Sequence, residues 1–290
     1  MNPDDRISKL YLNKLGFSEN LRPNLDHLKL IFSRHIEHLP FGNLNSFLGD
    51  KVSIDVNDIA QKLLVEGREG YCLEQNLLTS LVLNELGYNA CNLLARVYYQ
   101  QNPLEAPIRT HLVTVVKFQN DQLFLFDPGF GGMTPAQVLS LNLVGETQLT
   151  PLEPYRIIPV KESGIVAEAL IGMQYMVQAF VRNEWINIYA LNPEQSVAQS
   201  DIMIANWFIS TSPDSLFTQD LIFSIVDEDN RLNFRNGKLM VYGKNGNSKQ
   251  QFTTVEEIRD CLKTKFKLNV DGMNFHKLMV KLEKLGLQKA

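Results

Sequence analysis

The chain has 290 residues, 44% apolar and 21% charged, with a formal net charge of −4. That is enough to bury a large core in two or three domains or subdomains, and it leaves no basic block for nucleic acid or an anionic membrane surface. Charges break up the opening MNPDDRISKLYLNKLG, which reads as neither signal peptide nor anchor, and no apolar run reaches the roughly 18 residues of a membrane span. The cysteines Cys72, Cys91 and Cys261 lie far apart, with no CxxC pair and no metal-ligand cluster. Such sparse usage points to a reducing compartment, the cytoplasm, and to no structural metal.

Four helices are expected in residues 1–87. The first, 5–15, has Ile7, Leu10, Tyr11 and Leu15 on one face. The second, 24–39, repeats that pattern with Leu25, Leu28, Ile31, Phe32, Ile36 and Leu39, and Pro40 stops it. A shorter helix covers 55–65, and a fourth runs from Cys72 to Leu86 with Gly87 as its C-terminal stop. Residues 88–191 are rich in Val, Ile, Leu, Tyr and Phe with turn residues between runs. They predict antiparallel strands at 93–99, 111–118, 122–126, 156–160 and 176–191. Residues 192–206 read as a connector. Strands at 221–226, 231–234 and 238–242 follow, with Gly243 to Gly246 as a hairpin turn. A final amphipathic helix, 273–286, carries Phe275, Leu278, Met279, Leu282 and Leu285. The class is α+β: a helical domain (1–87), a β-barrel domain (88–191), and a connector with an α/β lid (192–290).

Chemistry concentrates on Cys72, in Arg68-Glu69-Gly70-Tyr71-Cys72-Leu73-Glu74-Gln75-Asn76. A Gly-containing turn delivers this thiol to a helix N-terminus, where backbone amides favour the thiolate. Of five histidines, His111 alone opens a predicted strand. The next strand ends in Asp127-Pro128-Gly129-Phe130, and a turn at Asn120-Asp121 would set Thr114 opposite Asp127 and His111 opposite Phe130. Taken singly, Cys72 is a buried small hydrophobe, His111 a polar strand residue and Asp127 a turn former. Together they suit a nucleophile, a base and an orienting carboxylate. His35 and His38 share a helix face without a third ligand and read as solvated polar positions.

These segments resemble the arylamine N-acetyltransferases. Arg68 to Asn76 fits that family's nucleophile motif except at Glu69. His111 and the Asp127 loop follow in order. Pro40-Phe41-Gly42-Asn43-Leu44 and Asn206 to Phe217 match two further segments. The resemblance implies a helical bundle, an antiparallel β-barrel and an α/β lid around a cysteine-protease-like catalytic core. It also implies ping-pong acetyl transfer from acetyl-CoA, as co-substrate, to an arylamine, arylhydrazine or N-hydroxyarylamine, without a metal. Cys72 would be the acetylated nucleophile, His111 the proton relay and Asp127 its orienter. Phe130 and Phe217 would wall the acceptor pocket, and Arg68, Glu69 and Asn76 would support the site.

Gly42 and Glu69 exchange the family's Glu and Gly, which suggests that a carboxylate partner of Arg68 has moved between positions. The loop before His111, Pro103-Leu104-Glu105-Ala106-Pro107-Ile108, is a poor seat for a pyrophosphate. It suits an alternative amide synthase that takes its acyl chain from an acyl carrier protein. A thiol hydrolase and a non-catalytic module are the other readings of the same residues.

Overall fold

The computed structural model describes residues 6–18, 21–227, 229–244, 246–284 and 286. Its opening part contains α1 (Ile7–Lys14), α2 (Leu25–His38), β1 (Phe41–Gly42), α3 (Leu44–Leu48), α4 (Val56–Ala60) and α5 (Cys72–Glu85). A π turn over Gln61–Val65 continues α4. Asn24 caps α2 by accepting from the His27 amide at 2.8 Å, and Asp55 caps α4 through the Asn57 amide at 2.8 Å. Gly87, at φ +89°, follows α5 in a conformation that costs glycine little. Most of α5 is buried on all sides, so it forms the centre of the assembly rather than an amphipathic surface helix.

His35 is fully buried, not solvated. Tyr11 Oη lies 2.7 Å from its Nδ1, and Gln75 Oε1 lies 2.7 Å from its Nε2. Burial drives its pKa down to about 3, opposed by the Gln75 hydrogen bond and helped by the charge of His38. This neutral imidazole ties α1 and α2 to α5.

The second part is a seven-stranded antiparallel sheet. It comprises β2 (Asn89–Val97), β3 (Arg109–Lys117), β4 (Leu123–Phe126), β5 (Leu139–Ser140), β6 (Tyr155–Pro159), β7 (Tyr175–Val181) and β8 (Glu184–Leu191). The spatial order is β5-β4-β3-β2-β8-β7-β6, and bridges Val144↔Ile157 and Gln148↔Tyr155 nearly close it into a barrel. Leu93, Ala95, Val113, Val115, Val177 and Ile188 fill the interior. Leu94, Leu112 and Val116 face outward and pack with the helices. Both faces are therefore apolar, which is why β3 reads as a continuous hydrophobic run. Residues 176–191 prove to be two strands, turning at Arg182 and Asn183, both at positive φ.

The β3–β4 turn spans Gln119–Asp121, one residue more than expected. Thr114 consequently pairs with Phe126 instead of Asp127. The slip leaves His111 and Asp127 at the same end of the hairpin.

Residues 192–206 are not simply a connector, because α6 (Gln199–Thr211) begins within them and α7 (Leu216–Gln219) follows. Ile202, Ala205 and Ile209 form the buried stripe of α6, while Met203, Ile204 and Trp207 are exposed and blur its periodicity. A second sheet comprises β9 (Ile222–Asp227), β10 (Asn230–Arg235), β11 (Lys238–Gly243) and β12 (Gly246–Gln251), in the order β1-β9-β10-β11-β12. Two helices, α8 (Val255–Thr264) and α9 (Phe275–Lys284), pack with it around Phe223, Phe234 and Phe266. Sequence reading missed both β12 and α8. β12 is polar and wholly exposed, so it lacks the alternation that marks a strand. In α9, Leu278 and Leu282 are buried; Leu285 lies outside the described residues.

Candidate active site

α5 starts at Cys72, so the thiol sits among the unpaired amides of a helix N-terminus. The Tyr71 amide donates to Glu74 Oε2 at 3.0 Å, and Lys62 Nζ pairs with Glu74 Oε1 at 2.7 Å. The Gln75 side-chain amide donates to the carbonyls of Pro40 (3.1 Å) and Gly70 (3.2 Å), pinning the turn that leads into the helix. Cys72 itself is almost fully buried, and its Sγ lies 3.6 Å from the Thr110 carbonyl.

β3 brings His111 to that sulfur. Its Nε2 lies 2.7 Å from Asp127 Oδ2, and Cys72 is within hydrogen-bonding reach of the ring. Burial works against a charged imidazole here. The negative charge of Asp127, its hydrogen bond and the nearby sulfur outweigh it, and push the His111 pKa up to about 10. At neutral pH the ring is an imidazolium. Asp127 Oδ1 accepts from Asn76 Nδ2 and the Gly129 amide, both at 3.1 Å. Asn76 also donates to the Leu112 carbonyl at 2.9 Å and accepts from Thr114 Oγ1 at 3.0 Å. One amide on α5 thus fixes the carboxylate and the strand that carries the imidazole.

The Asp-Pro-Gly loop sits hard against the helix start. A Cβ on Gly129 would lie 2.6 Å from Asn76 Nδ2 and 2.9 Å from Cys72 Cα, closer than such atoms tolerate. Phe130 meets His111 edge-on, with ring centroids 5.0 Å apart. Phe217 packs against Tyr71 at 5.6 Å and Phe41 at 5.8 Å. Both phenylalanines are half-buried, Phe130 beside His111 and Phe217 beside Tyr71, the neighbour of Cys72 in sequence.

Arg68 Nε lies 3.3 Å from Glu69 Oε2, and Arg68 Nη2 lies 3.3 Å from Asn45 Oδ1. Glu69 is fully buried. A Cβ on Gly42 would come within 2.6 Å of Glu69 Cγ and 2.5 Å of Phe223 Cδ1. The Glu69 side chain therefore takes up the room that a side chain at position 42 would need.

A profile of the N-acetyltransferase family matches residues 24–275. An arylamine N-acetyltransferase of Mycobacterium tuberculosis is 33% identical over 264 residues, covering 90% of this chain and 88% of that protein. The chain belongs to the arylamine N-acetyltransferase family. A Mycolicibacterium smegmatis member is 30% identical over 91% of this chain and 92% of its own. The solved structure of the Mycobacterium marinum arylamine N-acetyltransferase in complex with CoA superposes with a TM-score of 0.85 at 33% identity, covering 94% of this chain and 97% of that one.

Beyond the residues expected from sequence, this family member adds the Thr110 carbonyl beside the thiol, Gln75 on the turn before α5, Thr114 on Asn76 and Tyr189 beside His111. The Tyr189 ring lies 4.8 Å from His111, and burial followed by the charge of Asp127 raises its hydroxyl pKa well above the usual range. No local pattern marks these four, because each partner comes from a distant element.

Proposed function

We propose that the chain transfers an acetyl group from acetyl-CoA to an arylamine, arylhydrazine or N-hydroxyarylamine through an acetyl-cysteine intermediate. The observation that carries this reading is the buried Cys72–His111–Asp127 array at the start of α5. In the first step the Cys72 thiolate attacks the thioester carbonyl, and the new S–C bond replaces the one to CoA. His111 gives its proton to the departing CoA thiolate, and Asp127 keeps the ring oriented. In the second step the amine nitrogen attacks the acetyl-cysteine and loses its proton to His111, and the Cys72 thiolate leaves. The Cys72 amide at the helix start would donate to the oxyanion of both steps. Phe130 and Phe217 offer a flat acceptor two aromatic walls. Three free cysteines suit a reducing compartment such as the cytoplasm.

Intact-protein mass spectrometry tests this directly. Acetyl-CoA should add one acetyl group, located on Cys72 by peptide mapping, and an arylamine should discharge it faster than water does. Rapid discharge by water alone would indicate a hydrolase. The alternative amide synthase is favoured by the proline-bearing loop at 103–108, whose Leu104 is exposed. It predicts labelling from an acylated carrier protein and none from acetyl-CoA.

A further inference from the structure

Two buried carboxylates bracket Cys72 in the chain, Glu69 three residues before it and Glu74 two residues after it. Glu74 belongs to the first turn of α5, the turn that presents the thiol. Gly70 leaves room for it, because a Cβ there would lie 3.1 Å from both Glu74 Cβ and Leu63 Cδ1. A carboxylate without a cation in this turn would oppose the thiolate and cancel what the helix amides provide. The Tyr71 hydroxyl registers both groups: burial, then Glu74, then Cys72, raise its pKa well above the usual range.

The cation comes from the π turn after α4. Lys62 lies in that turn beside the fully buried Leu63, and its own side chain is only 16% exposed. Its Nζ pairs with Glu74 Oε1 at 2.7 Å and stands 4.0 Å from Glu69 Oε1. Its carbonyl accepts from the Arg68 amide at 3.0 Å, and Arg68 Nε reaches Glu69 Oε2 at 3.3 Å. The four side chains form one connected set, two cations against two carboxylates. Burial raises the Glu74 pKa above its ordinary value, against the pull of Lys62 and the Tyr71 amide and with the help of Glu69. Lys62 is therefore what chiefly keeps Glu74 ionised. Without it the carboxylate either keeps a bare charge in the turn of the thiol or takes up a proton and loosens its hold on the Tyr71 amide. Glu69, where the family pattern has glycine, sharpens the need, since it brings a second buried carboxylate to the same ammonium.

We infer that Lys62 is a positioning residue for the nucleophile: by pairing with Glu74 it keeps the first turn of α5 free of net negative charge and the Tyr71–Cys72 backbone in place. It acts through Glu74 and touches no substrate. This rests on the reading of Cys72 as the acylated group and adds to it a cation from a different element.

Iodoacetamide alkylation of the intact protein needs no acyl donor, so it reports on Lys62 even in a chain that never acetylates Cys72. In Lys62→Met, Cys72 should be alkylated about tenfold more slowly at pH 7, the scale of one uncompensated charge within a helical turn. The exposed Cys91 should react as before and serves as the internal reference. Lys62→Arg should keep most of the rate. Adding Glu74→Gln to Lys62→Met removes the orphaned charge but leaves an oxygen for the Tyr71 amide, and should bring the rate to within about twofold of Glu74→Gln alone. With acetyl-CoA and an arylamine, Lys62→Met should lower kcat and leave the acceptor KM in place. If Lys62→Met does not fold, the double variant set against Glu74→Gln carries the comparison. An unaltered Cys72 alkylation rate in Lys62→Met, or a double variant about tenfold slower than Glu74→Gln, would overturn the assignment.

Discussion

His111 holds its proton because Asp127 lies 2.7 Å away in a site closed to water. The folded protein binds that proton more tightly than the unfolded chain, in which a histidine titrates near 6.5. The resulting stabilisation is fully present below about pH 6.5 and is lost as pH rises through the folded value of about 10. Thermal melts should therefore fall between pH 7 and pH 10, and the fall should shrink in Asp127→Asn. The same substitution should lower kcat on the order of a thousandfold, since it removes both the charge and the orientation of the ring. A variant with undiminished kcat would remove Asp127 from the mechanism. At Glu69 the structure accounts for a departure from the family pattern in steric terms: its side chain lies in the space that any Cβ on Gly42 would enter.

Between α5 and the β3–β4 hairpin, a single close approach sets the geometry of the site. Gly129 permits the Asp127 loop to touch the backbone of Cys72. Gly129→Ala should cost about 1–3 kcal/mol in urea unfolding, because the Cys72 backbone cannot retreat. It should also depress turnover beyond what lost stability explains. Wild-type stability would mean that the loop is not seated there.

Much of this level was legible in sequence. Gly70 and Gly87 bracket α5, and Asn120-Asp121 marks the hairpin. The register was not, because three residues at positive or helical φ fill a turn where two were expected. Helix α6 was hidden by exposed apolar residues that gave it no polar face. His35 looked like a solvated residue because its partners, Tyr11 and Gln75, lie on other helices. The identities of Cys72, His111 and Asp127 were readable because turn residues and strand ends flag them locally, whereas the polar network behind them is assembled from distant positions.

Across the molecule, the second sheet is fastened to the barrel by a buried cation. Arg231 on β10 donates through Nη2 to the Thr134 carbonyl at 2.8 Å and to Glu153 Oε2 at 2.7 Å. Thr134 belongs to the segment that follows the Asp127 loop, so this contact couples the lid sheet to the site. Arg231→Ala removes one partner of a buried pair and should destabilise the fold by about 3 kcal/mol, read by denaturant unfolding. It should also loosen Phe130 and raise the KM for the acceptor amine. A stable variant with an unchanged acceptor KM would show that the two sheets are held elsewhere.

The bulge between Ala95 and Arg96 has a bearing on how this architecture diversifies. It separates a strand segment whose spacing is dictated by the chemistry from a preceding loop that carries the exposed Leu104 and Ile108. Lengthening, shortening or rewriting residues 100–107 leaves the pairing from Ala95–His111 onward untouched. Insertions between His111 and Asp127, by contrast, reverse which side chains point inward. The loop is therefore the place where this fold can change without disturbing the strand register that brings His111 and Asp127 together.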